Sequence, residues 1–161
     1  MMIKELLAQR GERPVFSVLP DDTVFDAVTN MVRKNVGAML VIKDGNIYGI
    51  MTERDYLRFV TVQGRTARDT PVREIMTRKV IYATPDTSCE EVMAIMTDRR
   101  IRHLPIIDGT QLQGIVSIGD VVKQVSRDQE VHIRYLEEYI ADDYPGPKRT
   151  PVASPRRPKG E

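Results

Sequence analysis

The chain has 161 residues, 41% of them hydrophobic and 29% charged, and its 24 Lys and Arg against 23 Asp and Glu leave a formal charge of +1. This balance is ordinary for a soluble globular protein and gives no support to a nucleic-acid-binding domain, so any anion site must be local. One cysteine and two histidines exclude an intramolecular disulfide and argue against structural zinc. No apolar run approaches the roughly 18 residues of a membrane span, and Met1–Leu7 is too short and too charged for a signal peptide, so the expectation is a cytoplasmic protein with no membrane partner.

In chain order, Ile3–Gln9 reads as a short helix ended by Gly11, and Pro14 forces an extended entry into a first strand, Val15–Val18. Pro20-Asp21-Asp22 is a turn, Thr23 caps a helix, and Val24, Ala27, Val28 and Met31 recur along one face of it. Ala38–Ile42 is a continuous apolar strand, Asp44-Gly45 centres a hairpin turn, and Ile47–Met51 returns antiparallel before a helix from Thr52 to about Thr61. Gln63–Val72 is a connector rich in turn residues, and Pro71–Met76 adds a short helix. The elements then recur: strand Val80–Ala83, helix Ser88–Asp98, strand His103–Ile107, turn Asp108–Thr110, strand Leu112–Val116 and a helix from Ser117. Cys89 falls on the apolar face of its helix and reads as a small core residue. The last helix runs on towards Ala141, with an apolar stripe of Val122, Val125, Ile133, Leu136 and Ile140 and a polar interruption at Ser126–Glu130.

The recurrence is an internal repeat. Pro20–Asp55 aligns with Pro85–Asp120 without a gap, with identities at Pro20/Pro85, Asp21/Asp86, Met31/Met96, Ile42/Ile107, Gly49/Gly114, Ile50/Ile115 and Asp55/Asp120, where chance gives about two. Each repeat alone would bury only a marginal core, so the halves must pack together. The fold expected is α+β: two β-α-β-β-α units with pseudo-two-fold symmetry. The first covers residues 1–67 with the N-terminal helix, the second 68–127, followed by a helical extension over 128–144 and a disordered, basic, proline-rich tail over 145–161.

The most distinctive stretch is Gly114-Ile115-Val116-Ser117-Ile118-Gly119-Asp120, matched by Gly49-Ile50-Met51-Thr52-Glu53-Arg54-Asp55. In each, a strand ends at a hydroxyl where a helix begins, so free backbone amides and the helix dipole favour an anion there. The aspartate one turn on suits two neighbouring hydroxyls of a ribose. The same Ser/Thr-x-x-Asp/Glu spacing is also the helix capping box, and it serves as one at Thr23–Asp26 and Ser88–Glu91. Taken alone, the motif fits either role. Arg102 and His103 enter the second repeat's strand on opposite faces, so at least one should face a cleft, where Arg102 could pair with a phosphate and His103 could donate to it or stack beside a base. A solvated helix end is the other reading. Their counterparts in the first repeat are Gly37 and Ala38, without charge, although Arg54 could compensate, so the two sites should differ.

These residues resemble a known family. The doubled Gly-Ile-apolar-Thr/Ser-x-x-Asp unit, the Pro-Asp entries and the run Arg100-Ile101-Arg102-His103-Leu104-Pro105-Ile106-Ile107-Asp108 look like tandem cystathionine-beta-synthase (CBS) domains, a Bateman module, without an attached enzyme, channel or transporter domain. The resemblance covers about Val15 to Val125. It implies a homodimeric disk with adenosine ligands in the inter-domain clefts: AMP, ADP, ATP, S-adenosylmethionine or NAD(H). Carried over by position, Asp55 and Asp120 would hold ribose, Thr52 and Ser117 would approach phosphate, and Arg102 and His103 would be phosphate ligands of the second site. Thr77, Val80 and Ile101 would border the base, and Val36, Gly37 and Arg54 would complete the lining.

The function expected is a non-enzymatic sensor, AMP being the first choice of ligand and NAD(H), ATP or S-adenosylmethionine the others, which passes its occupancy through dimer geometry to an unknown downstream protein. A structural or interaction dimer, or an adaptor touching nucleic acid through the basic tail, is the alternative. Catalysis lacks its usual parts: there is no His/Glu cluster, no nucleophile beside a base, and Gly109–Gly114 lacks the Lys-Ser/Thr of a phosphate-binding Walker loop.

Overall fold

The computed structural model describes residues 1–62 and 64–143, without the side chains of 61, 62 and 138–143. The expected disordered tail lies outside the described residues. The chain divides into a unit Met1–Arg127 and a unit Asp128–Glu161.

In the first unit, helix α1 (Ile3–Arg10) precedes strand β1 (Ser17–Val18), helix α2 (Val24–Lys34), strands β2 (Ala38–Lys43) and β3 (Asn46–Thr52) and helix α3 (Glu53–Val62). A 3-10 turn at Val72–Glu74 leads to helix α4 (Cys89–Arg99), strands β4 (His103–Asp108) and β5 (Gln111–Ser117) and helix α5 (Ile118–Asp143). The repeat is visible in local detail. Thr23 caps α2 by accepting from the Asp26 amide at 3.1 Å, and Ser88 caps α4 through the Glu91 amide, also at 3.1 Å. Both helices end on a left-handed residue, Asn35 at φ 52° and Arg100 at φ 54°. The first hairpin turns through Asp44 and Gly45, both at positive φ, as a two-residue turn of the twist-compatible kind demands. Each hairpin also shifts register at one equivalent point, Val41/Ile42 and Ile106/Ile107.

The halves part where the sequence predicts a strand at Val80–Ala83. In the first repeat β1 pairs parallel to β2, Ser17 with Leu40 and Val18 with Val41. In the second repeat only one bridge forms, Ala83 to Ile106, through Ala83 N–H to the Pro105 carbonyl at 3.0 Å and Ile107 N–H to the Ala83 carbonyl at 2.9 Å. The next rung would need an N–H from residue 105. That residue is proline where the first repeat has Leu40, so the ladder stops. The expected strand is therefore a single bridge, and the expected first strand is confined to its last two residues.

The two repeats also exchange segments. The sequence reading placed the N-terminal helix with the first repeat, but its contacts are with the second. Ile3 N–H donates to the Thr87 carbonyl, Lys4 N–H to Pro85 and Cys89 N–H to Met1, each at 2.9 Å. The stretch before the second repeat docks reciprocally on the first: Val72 N–H to Asp22 at 2.8 Å, Arg73 N–H to Pro20 at 3.0 Å and Val24 N–H to Thr70 at 2.9 Å. Bridges Met2–Ser88 and Thr23–Pro71 complete the correspondence.

The cores follow this exchange. Ile3 and Leu6 are buried with Ala83, Cys89, Val92, Met96, Leu104, Ile106, Val116, Val121 and Val125. Val72 and Met76 are buried with Val18, Val24, Ala27, Met31, Met39, Val41, Met51 and Phe59. Each such side chain contributes about 1.5–3 kcal/mol when fully buried, which is how two marginal cores become adequate ones. A third cluster, Ala38, Leu40 and Ile50 with Val15, Val80, Leu112 and Ile115 against it, joins the repeats. Cys89 is fully buried. Helix α5 runs on to Asp143 through the polar residues Ser126–Glu130, and in the second unit Val131, Ile133, Tyr135 and Leu136 are exposed.

The two repeat glycines separate these packing environments. A Cβ on Gly49 would lie 2.7 Å from the Thr77 carbonyl oxygen and 2.9 Å from Met76 Sδ, whereas one on Gly114 would meet only Leu7 Cδ2 at 3.4 Å. Gly49→Ala is expected to cost about 1–3 kcal/mol, and Gly114→Ala to stay within about 0.5 kcal/mol of the parent in urea unfolding. Equal effects would contradict the tight docking of the 70–77 segment.

Candidate functional site

Both hydroxyl–aspartate pairs sit where strand passes into helix, and both act as caps. The Thr52 amide and hydroxyl donate to Asp55 Oδ2 at 2.9 and 3.0 Å, and the Asp55 amide returns a bond to Thr52 Oγ1 at 3.3 Å. The Ser117 amide and hydroxyl donate to Asp120 Oδ2 at 3.0 and 2.8 Å, again answered at 3.3 Å. Capping uses one carboxylate oxygen in each pair. The other faces outward: Asp55 Oδ1 accepts from the Thr77 hydroxyl at 3.0 Å, and Asp120 Oδ1 stands 4.0 Å from Arg13 Nη1.

Each pair borders a cavity completed by the opposite repeat. The Asp55 cavity, about 480 Å³, is lined by Ile50, Thr52, Glu53, Arg54, Asp55, Leu57 and Arg58 from the first repeat and its helix α3. Thr77, Lys79 and Ile81 come from the connector, and Arg100, Ile101, Arg102 and His103 from the second repeat, with Gly37 at the edge. The Asp120 cavity, about 520 Å³, combines Ile115, Ser117 and Asp120 with Arg10, Arg13, Pro14–Phe16, the run Lys34–Ala38 and His103. Both volumes fall in the range of about 300–1,000 Å³ usual for small-molecule sites.

This crossing corrects the sequence reading. Arg102 was expected with His103 beside Ser117 and Asp120, but it lines the Asp55 cavity, whereas His103 lines both cavities, as Gly37 does. Val36 and Gly37 stand opposite Asp120. The cavity thought poor in charge is thus the one holding Arg58, Lys79, Arg100 and Arg102. Thr77 and Ile101 line it as well. Val80 does not line either cavity and packs against the Ala38–Leu40–Ile50 cluster. Arg54 spans the repeats, donating to the Arg100 carbonyl at 2.8 Å. Gly37 accounts for the missing charge in the first repeat: a Cβ there would lie 2.9 Å from His103 Cε1, so a side chain at this position would have to displace the imidazole.

The sequence reading missed Arg10, Arg13, Lys34, Arg58 and Lys79. Arg10 reads from sequence as a helix-end charge, yet its Nη1 lies 2.9 Å from Asp120 Oδ2 and its Nη2 donates to the Ile115 carbonyl at 2.9 Å. Burial acts to raise the Asp120 carboxyl, but the Ser117 bonds and the guanidinium groups of Arg10 and Arg13 outweigh it and hold it below its ordinary value. Burial lowers the His103 imidazole, helped by Arg102 and opposed by Glu53 and Asp120. Among the described residues there is no cluster able to hold a metal ion and no helix long and apolar enough to cross a membrane.

A duplicated α+β unit with a capped aspartate beside each inter-repeat cavity defines a class, and comparison names it. The family model for the CBS domain matches twice, at residues 4–62 and 72–127. The chain belongs to the CBS-domain family and carries a tandem pair. It is 47% identical over 129 residues to the mitochondrial CBS domain-containing protein CBSX3 of Arabidopsis thaliana, a match covering 77% of this chain and 63% of that protein's length. A solved protein with CBS domains from Burkholderia ambifaria is similar at 45% identity and a TM-score of 0.76, over 80% of this chain and 96% of that one. The CBS domain pair of protein MJ0100, solved with 5′-methylthioadenosine and S-adenosyl-L-methionine, shares the fold at 22% identity and a TM-score of 0.68, over 80% and 98% of the two chains.

The two shifted groups act in different pH windows. The ordinary imidazole value is 6.5, and the folded one is lower. As pH falls through 6.5, the unfolded chain takes a proton that the folded chain refuses, and stability drops. Asp120 is depressed from 3.8, so its contribution is present above that value and is lost as pH falls through the folded one. The His103 ring is expected to titrate below about 6.5 by NMR. In His103→Gln the loss of Tm between about pH 7 and 5 should shrink while the steeper acid limb remains. A midpoint above the ordinary value would refute the burial argument.

Proposed function

We propose that this CBS pair is a non-enzymatic sensor of an adenine nucleotide, with AMP as its first ligand and the Asp55 cavity as its main site. The observation that carries the reading is the outward Oδ1 of Asp55, held at the start of α3 and faced across the cavity by Arg102 and Lys79. A carboxylate with one oxygen fixed by its cap and the other bonded only to a rotatable hydroxyl suits the two adjacent hydroxyls of a ribose. The helix N-terminus and the opposing guanidinium suit a phosphate. Ile50, Ile81 and Ile101 supply apolar walls for a base. The adenosine compounds bound by the MJ0100 pair support the ligand class, and the cations around Asp55 favour a phosphorylated member of it over S-adenosylmethionine.

The signalling state is a homodimer. Helices α2 and α3 present an apolar face in which Val32 is 74% and Val60 48% exposed, with Phe25 and Val28 bordering shallow grooves beside them. A second copy would cover this face, and nucleotide occupancy would change its geometry only through differential affinity for two dimer states.

Calorimetric titration with AMP, ATP, NAD(H) and S-adenosylmethionine tests the ligand. Asp55→Asn should weaken AMP roughly 10- to 100-fold, the worth of charge-assisted hydrogen bonds, while retaining the fold. Absence of heat with every ligand at millimolar concentration would refute the sensor. Val32→Glu should convert the dimer to monomer in sedimentation, and a monomeric parent chain would refute the dimer.

A further inference from the structure

The two carboxylates that the repeat makes equivalent are not held alike. Asp55 accepts from Thr52 and Thr77, through neutral hydroxyls and an amide. Asp120 Oδ2 accepts three donors, the Ser117 amide, the Ser117 hydroxyl and Arg10 Nη1, and the Arg10 side chain is only 12% exposed. Arg10 is incompletely satisfied in this position, because its Nε is buried without a hydrogen-bond partner. A buried donor left unmade is unfavourable, so the guanidinium stands to gain from an acceptor that engages it more fully. Arg13 and Lys34 line the same cavity and add positive charge.

We infer that Arg10 sets the ligand specificity of the Asp120 cavity, admitting an adenosine ligand only when it carries an anionic group. This rests on the nucleotide reading above. A sugar diol taking Asp120 Oδ1 must share the carboxylate with Arg10, whose Nη1 holds Oδ2. A neutral nucleoside would draw carboxylate charge away from this pair and return no acceptor to a mostly buried cation, which is costly. A nucleoside phosphate offsets that cost by offering the guanidinium fork a second anionic acceptor. The Asp55 carboxylate is bonded to no cation, so a neutral adenosine ligand can engage it without weakening an ion pair, although the cations lining that cavity still favour a phosphate. Two sites identical in motif thus sort ligands by charge.

The test is amide NMR of the full chain titrated with AMP and with adenosine, reading the Asp55 cavity at Thr52 and Glu53 and the Asp120 cavity at Ser117 and Gly119. In the parent chain both ligands should shift the first pair, and AMP should act on the second pair at least about tenfold more tightly than adenosine. In Arg10→Gln that ratio should collapse towards one, with adenosine tightening and AMP weakening. Should the glutamine variant fail to fold, Arg10→Lys, which keeps the charge and loses the fork, should show a reduced ratio still above one. An unchanged ratio in the folded variant, or adenosine equal to AMP at Ser117 in the parent, overturns the inference. AMP shifts at Thr52 without any at Ser117 overturn it while leaving the nucleotide reading intact, and no shift at either pair overturns both.

Discussion

The structure depends on a reciprocal hydrophobic exchange. Neither repeat closes its core with its own residues: Ile3 and Leu6 go into the second, Val72 and Met76 into the first. The entropic cost of ordering each short segment is met because it is held by backbone bonds at one end and buried side chains in the middle. The exchange also builds the sites. Each inserted segment continues past its buried residues to the carboxylate of the repeat it completes, α1 delivering Arg10 to Asp120 and the 70–77 segment delivering Thr77 to Asp55. Packing and ligand chemistry are therefore set by the same insertion, and the difference between a guanidinium and a hydroxyl at its end makes the sites unequal.

Much of the fold could be read from the sequence because the repeat carries it in local signals. The caps Thr23 and Ser88, the Asp44-Gly45 turn and the gapless match from Pro20 to Asp55 each fix structure within a few residues. The exchange could not be read that way. The inserted segments correspond at Met2 and Pro71, Ile3 and Val72, and Lys4 and Arg73, out of step with the rest of the repeat and without shared residues, and only their apolar-then-basic order matches. Chain order places α1 with the first repeat, as the family match at 4–62 does, while its buried side chains pack in the second. The missing strand at Val80–Ala83 did have a signal, in Pro105, whose absent N–H forbids the rung that Leu40 supplies.

The site was legible in its acidic half and not in its basic half. Thr52, Asp55, Ser117 and Asp120 are marked by their position after Gly-Ile strands. Which cations face them depends on how the repeats cross, and spacing along the chain carries no record of that. Arg102 went to the wrong cavity for this reason, and Arg10, Arg58 and Lys79 resembled ordinary surface charges. The structure shows the capping role, and capping leaves room for a ligand, since a carboxylate has two oxygens and the cap occupies one.

The bare Gly37 beside the His103 ring has a consequence for how alike the two repeats can be. A perfect duplication of the second repeat would place an arginine at position 37, and its Cβ, 2.9 Å from that imidazole carbon, would push the His103 ring aside. That ring lines both cavities, so a strictly symmetric chain would lose the one imidazole they share, and the asymmetry at this position is what lets a single side chain serve two hollows.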